Sequence, residues 1–491
     1  MIKKYLKKTA EYALGNAFNK TLLILLIPIF TKNMLPEEYA VYSNFMIFIT
    51  FAGFFYSLGL QQSIFSHFYD EHTDEYRYTF INSVFITIIF FGIFLSLFVF
   101  VFRNFFAIIM VRSNEFSHLF YYIPVIIFCD TLYSMTLNFL NIMEQSRKFA
   151  ILSSIRTIIL VTLIIFYAIT HNFSIQTIFL LMMIAAFSGS LAAFICLRKY
   201  LKNISKTLTA KHLFSMKLTR EILKFGLIMI PGAIAMHLLR ISDRYMITYL
   251  GGTTVKAALH QVGIYSLGYR VGLIMQFVVS LISLVYFPYA MKISKTSFAK
   301  ESYRKLFKNY IIIGGIFAFI IILFSREIFQ LFVDERYWEG IGIVAFGVIS
   351  SFLTGVFNIL NISFYIRKSA KSIALAVSFG AILNISLNFI FIPLWGNIGA
   401  GFSSIISFFF IVIYELIQSE RIFKIGNNYF YIQFSLFFLA IPTIYNLYCK
   451  SEFLLIRIVI SILFAIIGIY FFLRNYKEFF VNEKRNEARA S

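Results

Sequence analysis

The chain has 491 residues, of which 59% are hydrophobic and only 14% are charged. A soluble globular protein carries roughly 25% charged residues, so the composition excludes a soluble protein of two or three domains. The net charge of +21 does not indicate a nucleic-acid-binding protein, because the Lys and Arg residues stand in short segments between apolar runs. Such a chain needs lipid as its solvent.

The first apolar run resembles a signal peptide, but Lys20 interrupts it and no small-residue cleavage site follows. We therefore interpret it as a first membrane helix. A spanning helix takes about 20 mostly apolar residues, and about fourteen runs meet that criterion. The predicted spans are approximately 12–33, 42–64, 80–102, 117–141, 151–170, 175–197, 221–250, 262–288, 307–325, 340–364, 371–393, 398–417, 428–448 and 452–473.

The distribution of basic residues predicts the orientation of these spans. If the N-terminus is cytoplasmic, most Lys and Arg residues fall in cytoplasmic segments, and the segment Arg198–Lys224 is the most basic of them. The acidic segment Asp70–Glu75 departs from the pattern, but acidic residues contribute little to it. Both termini are thus predicted to be cytoplasmic. The longest outer loop, Ser325–Gly340, is too short for an extramembrane domain.

The two halves of the chain contain related strings at matching positions. AVYSNF (Ala40–Phe45) opens the second predicted helix, and GIYSLG (Gly263–Gly268) opens the eighth. Each string follows a helix interrupted by Gly and Pro, the first at Pro28 and the seventh at Pro231. Two interrupted helices in corresponding places indicate the binding site of a transporter.

Charged residues inside apolar runs are candidates for that site, because an idle charge in hydrocarbon is costly. Arg240, Asp243 and Arg244 stand at i, i+3 and i+4 and therefore share one helix face. Lys20 and Arg270 lie deep in their runs without an evident local partner. We predict that Lys20, Arg240, Arg244 and Arg270 line one cationic cleft and bind an anionic substrate, since the planar guanidinium binds two phosphate oxygens at once.

Two carboxylates, Asp243 and Asp130, are predicted to couple an ion or to compensate charge. Two structural roles remain open for them: Asp243 neutralises Arg240 or Arg244, and Asp130 hydrogen-bonds a neighbouring helix. Arg156 and Arg457 stand near the ends of their predicted helices, and we expect them to extend to the membrane interface.

The sequence contains no recognisable enzyme motif. It shows no metal-ligand spacing, no phosphate-binding Gly loop and no nucleophile elbow. Cys129, Cys196 and Cys449 lie within or beside apolar runs and are interpreted as packing residues. We therefore predict no enzyme activity, no metal and no cofactor.

Several longer strings resemble a known family. NISLNFIFIPLWGNIGAGFSS (Asn384–Ser404) resembles the Asn, Leu-Asn, Ile-Pro and Gly-x-x-Gly-Ala pattern of bacterial polysaccharide flippases. RISDRYMITYLGG (Arg240–Gly252) and MLPEEYAVYS (Met34–Ser43) are similar to their seventh helix and first outer loop. Ala40 departs from the Gly that the family commonly has before Tyr-Ser. The chain thus resembles the O-antigen and capsule flippases of the multidrug/oligosaccharidyl-lipid/polysaccharide exporter superfamily.

The resemblance implies an all-α polytopic membrane protein with about 14 transmembrane helices, arranged as two pseudo-symmetric six-helix lobes plus two C-terminal helices. The corresponding segments are an N-lobe at 1–200, a basic cytoplasmic linker at 201–220, a C-lobe at 221–417 and a C-terminal helix pair with a tail at 418–491. The implied substrate is an undecaprenyl-diphosphate-linked oligosaccharide. The implied mechanism is alternating access in the bacterial inner membrane, coupled to an ion such as a proton or sodium.

Three alternatives stay open at this level. A peptidoglycan lipid-precursor flippase shares the predicted helix number, and a drug exporter belongs to the same superfamily. An oligosaccharide polymerase or ligase is also polytopic and basic, but such enzymes resemble proteins with a large outer catalytic loop. No loop of that size is predicted here.

Overall fold

The computed structural model describes residues 19, 22–71, 73–170, 173–204, 213–293, 299–367, 370–423, 429–448, 457, 458 and 461. Within these ranges every regular element is helical. The α-helices are α1 (Leu26–Asn33), α2 (Pro36–Ser57), α3 (Leu60–His67), α4 (Asp74–Val101), α5 (Arg103–Val111), α6 (Ile123–Ile142), α7 (Ser146–Thr170), α8 (Ile175–Ile204), α9 (Met216–Leu250), α10 (Val255–Gly272), α11 (Ile274–Ile293), α12 (Ala299–Leu323), α13 (Ser325–Phe332), α14 (Ile343–Arg367), α15 (Ala370–Phe423) and α16 (Tyr429–Tyr448). Short 3-10 helices cover Glu115–Tyr121 and Glu335–Gly342.

The predicted class, an all-α polytopic membrane protein, is confirmed. In the described part of the chain, ten helices are long and apolar enough to cross a membrane. The number is below fourteen partly because most of the last predicted span, 452–473, lies outside the described residues. In addition, α15 unites two predicted spans. Its φ of 55° and ψ of −131° at Gly396 break the helix where the sequence predicts a loop, and a positive φ of this kind suits glycine.

Two predicted helices are each divided in the structure. The predicted span 42–64 separates into α2 and α3, because Leu58 and Gly59 both adopt left-handed backbone angles. The predicted span 262–288 separates into α10 and α11 around Leu273. Both breaks lie within continuous apolar sequence, so hydrophobicity does not predict them and only the backbone geometry reveals them.

The chain divides into two compact units. Unit 1 comprises Met1–Ile241 and Gly252–His260, and unit 2 comprises Ser242–Gly251 and Gln261–Ser491. Helix α9 contributes to both. In unit 1, α6 packs against α2, α4, α7 and α8. In unit 2, α14 packs against α11, α12 and α15, and nearly all of its residues from Ile343 to Phe364 are buried, as expected of a helix surrounded by protein. The predicted lobe limits stay a prediction.

Unit 1 contains a close approach between the turn after α2 and the first part of α9. A Cβ placed on Gly226 would lie 2.5 Å from the carbonyl oxygen of Leu58, and one placed on Gly59 would collide with the carbonyl of Gly226. Ser63, one turn further into α3, donates a hydrogen bond to the carbonyl oxygen of Ile222 at 2.7 Å. The two backbones thus touch through glycine, as is common between membrane helices.

Substituting Gly226 with Ala is expected to lower the free energy of unfolding by about 1–3 kcal/mol, because overpacking forces two backbones apart. Gly53 in α2 offers a matched control, since nothing lies within 4 Å of its added Cβ. Thermal unfolding of the detergent-purified protein measures both variants. An unchanged midpoint for Gly226→Ala, equal to that of Gly53→Ala, contradicts the close approach.

Candidate functional site

A buried carboxylate, that of Asp243, organises a polar site inside unit 2. Its Oδ2 accepts hydrogen bonds from the hydroxyl of Tyr265 at 2.6 Å and from Ser404 Oγ at 2.5 Å, and its Oδ1 accepts one from Asn388 Nδ2 at 2.8 Å. Only 1% of Asp243 is exposed. All three donors are neutral, so these contacts satisfy the oxygens without cancelling the negative charge.

Two asparagines on one face of α15 extend this site. Asn384 and Asn388 are one helical turn apart, and Asn388 Nδ2 also lies 3.2 Å from Asn384 Oδ1. Asn384 Oδ1 accepts a second hydrogen bond from Ser242 Oγ at 2.6 Å. The remaining amide atoms, Asn384 Nδ2 and Asn388 Oδ1, are buried and have no hydrogen-bond partner among the described residues. The site therefore contains one amide donor and one amide acceptor that have no partner among the described residues and lie in an apolar environment.

Arg244 is held beside this site by α10. Its Nε donates to Ser266 Oγ at 3.2 Å, and its guanidinium lies 5.2 Å from the ring centroid of Tyr269. Arg244 is 8% exposed, and its aromatic neighbours support the cation through their ring faces. Arg270 follows Ser266 by four residues and therefore stands one turn away on the same face of α10.

The predicted binding residues have different surroundings. Arg244 is buried and Arg270 is half-buried, both in unit 2, whereas Arg240 is exposed and belongs to unit 1. Lys20 lies outside the described residues. The prediction that these four side chains line one cleft therefore stays a prediction.

The second predicted carboxylate, Asp130, forms an ion pair inside unit 1. Arg156 Nη2 on α7 lies 2.6 Å from Asp130 Oδ2 on α6. The aliphatic part of Arg156 lies in the space left by Gly189 of α8, where an added Cβ would come within 3.0 Å of it. The ion pair thus joins α6 to α7, and the aliphatic part of Arg156 packs on α8, which supports a structural role for Asp130.

The expectation that Arg156 and Arg457 extend to the membrane interface stays a prediction, and each guanidinium has a carboxylate partner. Arg156 pairs with Asp130 as described, and Arg457 is 5% exposed and pairs with Glu327 at 2.5 Å. Arg457 also donates to the carbonyl oxygen of Leu323 at 3.3 Å. Position near a helix end did not reveal that a carboxylate distant in the sequence lies within reach of each guanidinium.

Several polar residues of the site were not identified as such from the sequence. Asn384, Asn388 and Ser404 served there only as family markers, and Tyr265 only as part of an internal repeat. An i, i+4 pair of asparagines in an apolar span was the available signal, because amides inside a membrane helix usually have a partner. Within the described ranges, no group of three or more His, Cys, Asp or Glu residues is arranged to hold a metal.

Residues 5–294 match the family described as polysaccharide biosynthesis protein. The chain belongs to this family. The resemblance seen in the sequence is thereby confirmed. A region of 291 residues is also 25% identical to an uncharacterized membrane protein of Methanocaldococcus jannaschii, covering 57% of this chain. The match spans 55% of that relative, or about half its length.

Solved structures share the fold of this member of the polysaccharide biosynthesis family. The lipid II flippase MurJ in an inward closed conformation aligns with a TM-score of 0.70 at 16% identity, covering 95% of this chain and 99% of MurJ. An inward-facing multidrug resistance MATE transporter aligns with a TM-score of 0.65 at 13% identity, covering 82% and 96%. The MATE transporter VcmN of Vibrio cholerae gives 0.62 at 12% identity, covering 88% and 98%. At these identities the likeness concerns the fold.

Proposed function

We propose that this protein flips a lipid-linked oligosaccharide from the inner to the outer leaflet of the cytoplasmic membrane by alternating access. Membership of a polysaccharide biosynthesis family and the fold shared with a lipid II flippase support this proposal. The observation that carries it is the buried polar site around Asp243 and Arg244 within an otherwise apolar helical unit. Buried charge of this kind marks a substrate or ion pathway in membrane proteins.

Arg244 and Arg270 are the proposed ligands of the diphosphate that links the sugars to an undecaprenyl chain. Arg244 Nε donates a hydrogen bond to Ser266 Oγ of α10, and Arg270 follows Ser266 by one turn on the same helix. A guanidinium binds two oxygens of a phosphate in one plane, which suits recognition of a head group whose sugars vary. Arg240 and Lys20 complete the proposed cationic cleft.

Asp243 is the proposed coupling residue. Its carboxylate is held by neutral donors, so gaining a proton or a sodium ion would change the charge beside Arg244 directly. The resulting gain in positive charge would strengthen binding of the diphosphate, and loss of the ion would weaken that binding. Binding and release of the head group would then follow the state of Asp243.

The proposed orientation places both termini and the segment 201–220 in the cytoplasm. Single cysteines introduced into that segment of a cysteine-free variant, probed with an impermeant maleimide, measure its location. Labelling from outside intact cells would contradict this orientation.

Deletion of the gene tests the function. The expected result is loss of surface glycan together with accumulation of an undecaprenyl-diphosphate-linked oligosaccharide that remains enzymatically accessible only from the cytoplasmic side. Accumulation of the peptidoglycan precursor instead would assign the lipid II substrate that the MurJ-like fold also permits. Unchanged glycolipids with altered drug tolerance would indicate a drug exporter and contradict the proposal.

Replacing Arg244 with Gln is expected to reduce surface glycan about 10- to 100-fold, since a hydrogen bond to a charged group contributes about 1.5–3 kcal/mol. Arg244→Lys retains the charge but loses the planar fork, so an intermediate level is expected. Complementation of the deletion strain at matched protein levels measures both variants. Wild-type glycan from Arg244→Gln would exclude a role in phosphate binding.

A further inference from the structure

Unit 2 contains a second buried carboxyl group, that of Glu415, outside the Asp243 site. Glu415 stands in the second half of α15 and is 0% exposed. Neither Oε1 nor Oε2 has a hydrogen-bond partner among the described residues. A charged carboxylate buried without a partner is strongly unfavourable, so burial in this conformation favours the protonated form of the group.

Among the side chains that the structure describes, the helices packed beside Glu415 carry no opposing charge. From Ile343 to Phe364, α14 has no ionisable side chain, and the first half of α15 has none from Ser372 to Trp395. The basic residues of α14 and of the first half of α15, Arg367 and Lys371, stand near the ends that are predicted to be cytoplasmic. The ionisable residues nearest along the chain are on its own helix: Tyr414, Glu420 and Arg421. Within the described part of the chain, no ion pair like those of Asp130 and Arg457 accounts for Glu415.

Contacts within unit 2 define the level of Glu415. Gly380 and Ile411 are in contact and stand at nearly equal distances in sequence from the break at Gly396, so the two halves of α15 run antiparallel. Phe346 of α14 covers Gly401, where it fills the space a Cβ would take.

Asn361 of α14 reaches the same level as Glu415. Asn361 lies about 22 Å beyond Phe346, and Glu415 lies about 21 Å beyond Gly401, at 1.5 Å per residue along each helix. One membrane span, the first half of α15, separates α14 from the second half of α15 along the chain. α14 and the second half of α15 therefore run in the same direction. Asn361 Oδ1 is a buried acceptor without a partner. A carboxyl O–H is the kind of donor that this acceptor can receive.

We propose that Glu415 is a proton-binding site of unit 2, separate from Asp243, whose proton exchanges with water when the protein changes conformation. Ser404, which donates to Asp243, lies eleven residues before Glu415 on the same helix, about 16 Å along its axis. Ser404 and Glu415 therefore stand on one continuous helical segment, the second half of α15. The exchange is a simple gain or loss of a proton from water. A role in coupling rests on the proposed flippase function, whereas proton binding itself does not.

Carbodiimide labelling tests the proton site directly. Dicyclohexylcarbodiimide reacts with a carboxyl group that carries a proton in an apolar environment. The full-length protein in liposomes is labelled between pH 5 and pH 9 and mapped by mass spectrometry. We expect an adduct on Glu415 that declines as the pH rises, and at least ten times less adduct on half-buried Glu420 of the same helix. Equal labelling of both residues, or labelling of Glu415 independent of pH, overturns the proposal.

A matched variant separates proton binding from its use in transport. Glu415→Gln preserves the shape and neutrality of the protonated side chain, so the protein is expected to fold. It should carry no adduct at position 415, and its surface glycan should lack the dependence on external pH between 6 and 8 that we expect of the wild type. An unchanged pH profile overturns the coupling role. Failure of the proposed flippase function gives a different result. If deletion of the gene leaves the surface glycan intact, that function is excluded, while pH-dependent labelling of Glu415 still supports the proton-binding site.

Discussion

Asp243→Asn is expected to reduce surface glycan about 10- to 100-fold while the protein still folds. The reason is that the charge of Asp243 is the proposed site of ion coupling, and hydrogen bonds to a charged acceptor contribute about 1.5–3 kcal/mol. The substitution keeps the size of the side chain and replaces one acceptor oxygen with an NH2 donor. Asn388 can accommodate that donor by turning its amide, since its Oδ1 has no partner in the described structure. Loss of activity would then report loss of charge rather than unfolding.

Two further variants serve as controls for Asp243. Tyr265→Phe and Ser404→Ala each remove one of the three donors but leave the carboxylate in place. Smaller losses of surface glycan are expected from each, together with a shifted dependence on external pH or sodium. The readout is complementation of the deletion strain at equal protein abundance. Full activity of Asp243→Asn at every pH and sodium concentration would rule out the coupling role.

Arg156→Met is expected to destabilise the protein by about 2–3 kcal/mol, because it leaves the charge of Asp130 without its partner in a largely buried position. The figure lies below the 3–5 kcal/mol typical of fully buried pairs, since about a quarter of each side chain is exposed. Thermal or denaturant unfolding of the purified protein in detergent measures the change. The long Met side chain retains most of the packing on α8, so the loss isolates the charge.

The double variant Asp130→Asn, Arg156→Met distinguishes structure from function. If the ion pair only ties α6 to α7, removing both charges restores stability and transport together. If Asp130 couples an ion, stability recovers but surface glycan does not. A double variant as unstable as Arg156→Met alone would show that the two residues do not act as a pair.

The amino-acid sequence by itself determined the class of this protein. Apolar runs of about 20 residues dictate membrane helices, because the bilayer requires that length and leaves the backbone no other partner. The same reasoning located the break near Gly396 and drew attention to Asp243, Arg244 and Asp130, since charge in hydrocarbon stands out without any knowledge of the fold. The family motifs were likewise readable from Asn384–Ser404.

Only the tertiary structure decided which partners those charges have. Asp130 meets Arg156 26 residues away, and Asp243 meets Ser404 161 residues away. Nothing in local spacing encodes such contacts, because they depend on how separate helices pack. Glu415 shows the converse. Its carboxyl group lies in a predicted apolar span, and only the structure showed that it is fully buried without a hydrogen-bond partner among the described residues. Hydrophobicity specifies which segments enter the membrane, and packing specifies which polar groups meet inside it.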